Sequence, residues 1–349
     1  MNDVKNAFLN LTTLLIASVV AILGCNAHAN HSEQCANEEN PSKTRTLNET
    51  RISEVVRMVF QDSQGILWFG TQDGAFKSVN DSLIRIADIR GEHGTNVTIK
   101  DITESPDGSV WVAHTDGISR VTHEGVTNYY ESHGLINRDV WSIEADADGL
   151  IWISTFDGVC TYDGKSFSRF DLPEGEIDST LGVSSSRMVH SIKQDRSGTM
   201  WFCTNAGLFS YADGRLSEVS KKAGIATNFV NDIVETKKDE YMVATKEGLY
   251  ILKDGKALNI NLGQMEMDKG IGAMGFDQDS TLWFVANQHQ LFTYNGSRVE
   301  EFEKPNDHPG PVIFHIFNDS DGRLWFVGYG GAFRMENGRF ISITPEGPW

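Results

Sequence analysis

Seven recurring positions of the chain carry residues, six of them with polar or aromatic side chains, whose types and spacing could bind a ligand. They recur at intervals of 41 to 49 residues, each eleven residues before an anchor position that is tryptophan in six of seven cases. The seven residues are Arg57, Lys100, Trp141, His190, Asn231, Gly272 and Phe314. Two cations could pair with a carboxylate or phosphate, and an indole could stack on an apolar face. The alternative interpretation is that these side chains bind buried water.

Catalytic and metal-binding patterns are weak by comparison. His315 follows the seventh of these positions and could coordinate a metal together with His190, but the pair lacks a carboxylate partner and a third ligand. The chain has no H-E-x-x-H, G-x-S-x-G, phosphate-binding glycine loop or paired-cysteine spacing. The sequence therefore predicts no catalytic residues, no metal site and no cofactor. It does place His315 with the predicted ligand-binding set.

The elements that would position these residues are repeats. The anchor positions are Trp68, Trp111, Trp152, Trp201, Met242, Trp283 and Trp325. Self-similarity near 40 residues indicates propeller blades or another repeat array. Each repeat reads as a short strand that is apolar on both sides, a turn, the anchor strand, a glycine-marked turn and two further strands. Seven repeats of four strands predict an all-β fold, a seven-bladed β-propeller with four antiparallel strands per blade.

The turn before each anchor has its own signature. Asp stands six residues before the anchor in five repeats, and Gly stands three before it in five. Asp can bond its own backbone and Gly can take a positive φ, so the pair predicts a tight hairpin turn. Blades five and six depart from this pattern, with Met242 at the anchor and with Asp239 and Ser280 in place of turn glycines. A long acidic insert, 171–187, lies between blades three and four and is a second candidate for recognition.

Charge and composition limit the classes of partner. The formal net charge is −18 and the isoelectric point is about 4.9. An acidic surface repels phosphate backbones, so nucleic acid is not an expected partner. We expect a small-molecule or glycan ligand, an envelope protein such as a membrane sensor, or both.

The N-terminus predicts export. An apolar run from Leu14 to Leu23 is too short to span a bilayer and is typical of a signal peptide. Residues 22–25 resemble a lipobox that would lipidate Cys25, whereas Ala27 and Ala29 favour ordinary cleavage after residue 29. We predict a signal peptide at 1–25, a polar tether at 26–49 and the propeller at 50–349. The protein would then lie in the periplasm or envelope, touching the membrane only through a lipid on Cys25, or be free in the periplasm.

The two cysteines inside the repeats admit two interpretations. Cys160 and Cys203 occupy strand positions of neighbouring blades. Both fit small buried apolar residues, and a disulfide between the blades is the alternative.

The repeats also resemble a known family. The pattern V-x-x-I-x-x-D-x-x-G-x-L-W-x-G-T-x-x-G is similar to the two-component regulator propeller repeat of bacterial extracytoplasmic sensors. The first repeat matches it at Asp62, Gly65, Leu67, Trp68, Gly70, Thr71 and Gly74. The resemblance implies a sensor propeller, and members of this family precede a transmembrane helix and a kinase or cyclic-dinucleotide module. No such module follows blade seven in this sequence, so we expect any signal to pass through a partner.

These observations favour a non-enzymatic, exported propeller that binds a ligand or a protein partner on its loop face, in a sensory or accessory role. The alternative hypothesis is a propeller lyase or hydrolase, metal-assisted, at the mouth of the central channel.

Overall fold

A computed structural model gives the structure of the protein. It describes residues 52–80, 82–177, 179, 184–260, 267–304, 310–345 and 347. The predicted signal peptide, Cys25 and the tether at 26–49 lie outside the described residues.

The described residues form seven four-stranded sheets. In every sheet the four strands are consecutive in the chain and pair in sequence order, and each pairing is antiparallel. The predicted all-β, seven-bladed β-propeller is confirmed. Each blade is a meander, so short-range turns alone set the order of its strands.

The strands fall into four concentric positions. The innermost strands are β1 (Val56–Gln61), β5 (Ile99–Glu104), β9 (Val140–Ala145), β13 (Val189–Gln194), β17 (Val230–Glu235), β21 (Ile271–Phe276) and β25 (Val312–Asn318). The second strands carry the anchors and are β2 (Leu67–Thr71), β6 (Val110–His114), β10 (Ile151–Thr155), β14 (Met200–Thr204), β18 (Tyr241–Thr245), β22 (Leu282–Ala286) and β26 (Leu324–Tyr329). The second strands are almost wholly buried because neighbouring blades cover both of their faces.

The outer strands are more polar. The third strands are β3 (Gly74–Val79), β7 (Gly117–Thr122), β11 (Gly158–Tyr162), β15 (Gly207–Ala212), β19 (Gly248–Lys253), β23 (Gln290–Tyr294) and β27 (Gly331–Glu336). The fourth strands are β4 (Ser82–Arg85), β8 (Gly125–Tyr129), β12 (Phe167–Phe170), β16 (Arg215–Glu218), β20 (Lys256–Ile260), β24 (Val299–Glu301) and β28 (Arg339–Ser342). Among the described residues, helix is confined to inter-blade loops, as a 3-10 turn at Glu131–His133 and a single α-turn, α1, at Ser220–Ala223. In the part of the chain that is described, no helix has the length and apolar character needed to cross a membrane.

The hydrophobic core is divided among the seams between blades. Seven apolar clusters lie one at each seam, and each combines residues of two neighbouring blades. At the closing seam Ile52 and Ile343 join the same cluster as Phe69 and Trp325, whose ring centroids are 5.6 Å apart. Apolar burial therefore closes the ring between its first and last blades, and the edges of the sheets stay short and covered.

The aspartate of the turn signature has a second role, which is to accept a hydrogen bond from the anchor tryptophan. One carboxylate oxygen of Asp62 accepts the backbone N–H groups of Gln64 and Ile66, and the other accepts the indole N–H of Trp68 at 2.8 Å. The same indole bond recurs at 2.8 to 2.9 Å from Trp152, Trp201, Trp283 and Trp325. In blade two Ser105 takes the place of the aspartate. The aspartate thus caps the turn and satisfies the only polar atom of a buried indole.

Blades five and six confirm the predicted irregularity. In blade five the indole and the carboxylate are both absent, because Met242 and Thr236 stand at those positions. Asp239 and Ser280 take the positive φ that glycine takes elsewhere, at 57° and 65°. Non-glycine residues pay a conformational penalty there.

Cys160 and Cys203 are both buried and both free. They are the small apolar core residues of the first interpretation, and the alternative disulfide is not formed.

Candidate functional site

The seven positions at which the sequence predicted a ligand site coincide with a backbone irregularity. Every innermost strand has a shift in its register with the second strand at this point, for example between Val56 and Met58 in β1. One extra residue is left out of the ladder, which is the definition of a β-bulge. We call the seven residues the mouth ring: Arg57, Lys100, Trp141, His190, Asn231, Gly272 and Phe314. A bulge redirects the side chain it carries and leaves that residue outside the strand pairing. Residues at this position can therefore vary without changing the framework of the blade.

Lys100 lies at the centre of a polar and aromatic group in the mouth ring. Its ammonium is 2.5 Å from the carboxylate of Asp139 and 3.6 Å from the ring centre of Trp141. The Lys100 side chain is only 8% exposed. Burial lowers the pKa of Lys100, and the hydrogen bond and charge of Asp139 offset this only in part. The ammonium is therefore a desolvated cation held by one carboxylate and one indole.

Arg57 lies on the other side of this group and has fewer partners. Its guanidinium carbon is 5.9 Å from the ring centre of Phe314. Burial lowers the pKa of Arg57, and the charge of Asp139 opposes that effect. Arg57 Nε and Trp141 Nε1 are buried and have no hydrogen-bond partner among the described residues. Buried donors without acceptors are rare in native structures, and each costs roughly 1 to 3 kcal/mol when no acceptor is present.

The remaining mouth-ring residues have different roles. His190 Nε2 lies 2.7 Å from Asn205 Oδ1, and Asn231 donates to the carbonyl of Ile271 in the next blade. Phe314 is 44% exposed. The structure thus brings Arg57, Lys100, Trp141 and Phe314 together, whereas Asn231 ties blade five to blade six.

Asn205 connects the mouth ring to the long insert. Its amide donates to Ser184 Oγ and to the carbonyl of Ser185, both in the insert, while its carbonyl oxygen contacts His190. The described part of the insert also borders a cleft of about 290 Å³ that includes Arg169, Glu174 and Arg187. Arg187 pairs with Glu174 at 2.9 Å, so the charges of this cleft are largely matched within the protein.

His315 lies one position further along the strand than the mouth ring. Its Nδ1 accepts the backbone N–H of Val59 at 3.5 Å, and burial lowers its pKa to about 4. His190 and His315 therefore have separate partners. Among the residues that the structure describes, no three His, Cys, Asp or Glu side chains are grouped to hold a metal.

A group of charged residues lines the channel wall below the mouth ring. Asp101 accepts bonds from Ser142 Oγ and the Ile143 N–H, and Glu144 accepts the Gln194 N–H. Burial raises the pKa of Asp101 to about 6 and that of Glu144 to about 7.

The ion pair of this group joins two blades. Lys193 lies 2.7 Å from Asp232, and their side chains are 39% and 18% exposed. Burial lowers the pKa of Lys193, but the Asp232 carboxylate more than offsets this and leaves it raised. The pair is therefore only partly desolvated, so its charges keep some contact with solvent.

Sequence reasoning missed four residues of the site. Asp139 and Asn205 belong to a loop and a turn of the same face, and each contacts a mouth-ring residue of a neighbouring strand. Glu144 and Lys193 stand eight residues before their anchors, where the other five blades carry no charged residue and three of them carry Phe60, Val234 and Phe317. Departure from an apolar framework position was the available signal for the last two.

Comparison with known proteins supports this architecture. The family model described as two component regulator propeller matches residues 50–73, 134–157, 182–206 and 307–330. No curated protein matches the chain.

Three solved structures illustrate the range of similar folds. The chain is similar to the extracellular domain of a one-component system from B. thetaiotaomicron, at 19% identity, a TM-score of 0.62 and coverage of 80% of this chain and 38% of that one. The extracellular domain of a hybrid two-component system from the same organism is 16% identical, with a TM-score of 0.63 and coverage of 84% of this chain and 47% of that one. Virginiamycin B lyase from Staphylococcus aureus is 17% identical, with a TM-score of 0.53 and coverage of 71% of this chain and 85% of that one.

The chain therefore spans less than half the length of the two sensor domains. Similarity at these identities shows the fold alone, so the likeness to the regulator propellers depends on the repeat matches. The four matched ranges end one or two residues after the second strands of blades one, three, four and seven. This chain is a seven-bladed propeller, and four of its seven blades contain a match to the two component regulator propeller model.

Proposed function

We propose that the protein is a non-enzymatic, exported binding protein whose mouth ring captures an anionic small molecule or an acidic glycan. The observation that carries the proposal is the desolvated pair of cations at the mouth. Arg57 and Lys100 share the single carboxylate of Asp139 and leave buried donors on Arg57 and Trp141 without acceptors. An oxyanion at the mouth would supply the missing charge and the missing acceptors.

The proposal predicts opposite effects of one substitution on stability and on binding. Arg57→Met removes a buried cation that lacks full compensation, so we expect the unliganded protein to keep or gain stability. The same substitution should abolish binding of anions. If the variant is stable and does not bind anions, Arg57 serves a ligand site. If Arg57 belonged to a structural network, the variant would lose stability instead.

The experiment is a thermal-shift screen against carboxylates, phosphates and acidic oligosaccharides. A ligand at a hundredfold its dissociation constant should add about 2.7 kcal/mol to the free energy of unfolding. Arg120→Met is the matched control, because Arg120, like Arg57, lies over an aromatic ring, in this case the indole of Trp111, but it belongs to a third strand away from the mouth ring. If no anion raises the midpoint of the unmodified protein, or if Arg57→Met responds as the unmodified protein does, the proposal is wrong.

The wider role that we propose is sensory or accessory. The repeat family and the similarity to extracellular domains of signalling systems support a periplasmic or envelope location and an envelope protein partner such as a membrane sensor. Cys25→Ser tests the anchor, because it should move the protein from the membrane fraction to the soluble fraction. A protein that is already soluble and begins at residue 30 would overturn the lipid anchor but not export.

The lyase alternative has no observation in its favour beyond the shared fold. Its test is stoichiometric binding of a divalent ion that is lost in both His190→Ala and His315→Ala. That result would replace the binding-protein proposal.

A further inference from the structure

Blade six contributes almost no side chains to the channel. Its residues at the three channel positions of the innermost strand are Gly272, Ala273 and Gly275. Every other blade has a larger side chain in the mouth ring. The wall of the channel is therefore set back between Asn231 of blade five and Phe314 of blade seven. We call this gap the blade-six recess.

Packing explains one of the two glycines but not the other. A Cβ atom at Gly275 would lie 2.7 Å from the carbonyl oxygen of Ile316, so the backbone of blade seven requires glycine there. A Cβ atom at Gly272 would have its nearest neighbour, the carbonyl oxygen of Val285, at 3.9 Å. Gly272 is exposed and is not among the glycines with positive φ. Neither strain nor crowding requires glycine at position 272, and the space beside it is open.

The recess adjoins apolar surface on one side and the cation pair beyond it. Phe314, the next mouth-ring residue, is 44% exposed, and Val312 on the same strand is 45% exposed. The guanidinium of Arg57 lies on the far side of Phe314, with its carbon 5.9 Å from the ring centre. Around the mouth the order is thus open recess, exposed aromatic ring and desolvated cation, in blades six, seven and one.

This order matches a ligand with two unlike ends. We propose that the ligand is an organic anion with an apolar body, whose carboxylate binds Arg57 and Lys100 and whose body lies in the blade-six recess against Phe314. This inference depends on the proposed function and narrows its ligand class. A body rich in hydroxyl groups would need donors and acceptors, and blade six offers no polar side chain at its three channel positions.

Affinity should then depend on both ends of the ligand. Each methylene group buried in the recess should improve binding about fourfold, up to the length of the recess. Removing the charge should weaken binding by more than tenfold, because Arg57 and Lys100 would stay uncompensated.

The experiment is isothermal titration of the purified protein with acetate, butyrate, hexanoate and the uncharged hexanamide. We expect affinity to rise along the three acids and hexanamide not to bind. Gly272→Leu should fill the recess without a clash, leave the thermal midpoint unchanged, and reduce hexanoate to the affinity of acetate. Gly272→Ala, the matched control, adds one methyl group and should keep most of the gain.

The outcomes separate this inference from the proposed function. The recess inference is overturned, and the anion site stands, if acetate and hexanoate bind with equal affinity, if both lose binding in Arg57→Met, and if neither affinity changes in Gly272→Leu. If acidic oligosaccharides bind and the simple acids do not, the apolar body is likewise overturned. If no anion of either class binds the unmodified protein, both proposals fail.

Discussion

The two halves of the central channel are built on the same framework and lined in opposite ways. Blades two to five contribute Asp101, Glu144, Lys193 and Asp232 to the channel wall, joined by hydrogen bonds and one ion pair. At the corresponding positions blades six, seven and one carry one polar residue, His315, and otherwise small or apolar ones: Ala273, Gly275, Phe317, Met58 and Phe60. Behind both halves most blades share the same Trp anchor and Asp-Gly turn, with exceptions in blades two, five and six. The difference shows that this fold separates the residues that hold a blade from those that face the channel, so the lining can vary without loss of the fold.

The strongest test of this separation acts on the framework itself. Asp146→Ala in the charged half and Asp319→Ala in the apolar half each remove the acceptor of an indole N–H and of two turn N–H groups. We expect each to lower the free energy of unfolding by about 3 kcal/mol, measured by urea denaturation. Thr236→Ala, in the blade without an indole, should cost about 1 kcal/mol. If either aspartate variant loses less than the roughly 1 kcal/mol expected for Thr236→Ala, the two halves do not share one framework.

A smaller effect should distinguish the charged half from ordinary surface. Lys193→Met leaves Asp232 without its cation and should cost about 2 to 3 kcal/mol, because channel water only partly replaces the pair. The control is Lys253→Met, which breaks a pair with Glu240 at 2.6 Å where the lysine side chain is 56% exposed. That pair should contribute less than about 1 kcal/mol. Equal losses for the two lysines would mean that the channel is no more desolvating than the surface.

The charged half should also respond to pH. The pKa of Glu144 is raised to about 7 by burial, against 4.5 for the ordinary group, with Asp101, Asp146 and Lys193 as the charges around it. The folded state then binds a proton that the unfolded state has lost, so stability falls as pH rises from about 4.5 to about 7.

Glu144→Gln removes this effect and isolates it from the other titrating groups. From pH 5 to pH 8 the variant should gain about 2 kcal/mol relative to the unmodified protein, followed by thermal unfolding at each pH. Asp107→Asn is the control, because hydrogen bonding from Ser105 lowers the pKa of Asp107 to about 2 and its contribution is constant above pH 5. A parallel shift in both variants would contradict the raised pKa of Glu144.

The smallest effect concerns the turns of the two halves. Ser280 in blade six has a φ of 65°, and Gly108 in blade two has a φ of 77° at the same turn position. Ser280→Gly should stabilise the protein by about 0.5 to 1 kcal/mol because it removes left-handed strain. Gly108→Ser should destabilise it by a similar amount, because it introduces the same left-handed strain. A Cβ atom at position 108 meets nothing within 4 Å, so no steric clash adds to that cost. Denaturation midpoints that move in the same direction would refute the shared turn geometry.

Much of the fold was predictable because its determinants are local. The spacing of Asp62, Gly65 and Trp68 specifies one hairpin, and repetition of that spacing specifies a ring of blades. The position of the mouth ring was also predictable, since variation at one phase of a monotonous repeat marks the bulge. The hydrogen bond from Trp68 to Asp62 was not predicted from the sequence. The signal for it was that blade five lacks both the tryptophan and the aspartate.

The sequence by itself determined the blade count, the turns and the ring of candidate residues, because each follows from residues close together in the chain. Only the tertiary structure decided which of those residues act together. Lys100 meets Asp139 and Trp141, and Lys193 meets Asp232, across about 40 residues of chain. Those contacts form because closure of the ring brings neighbouring innermost strands side by side. No local spacing within one blade specifies which side chain its neighbour will present.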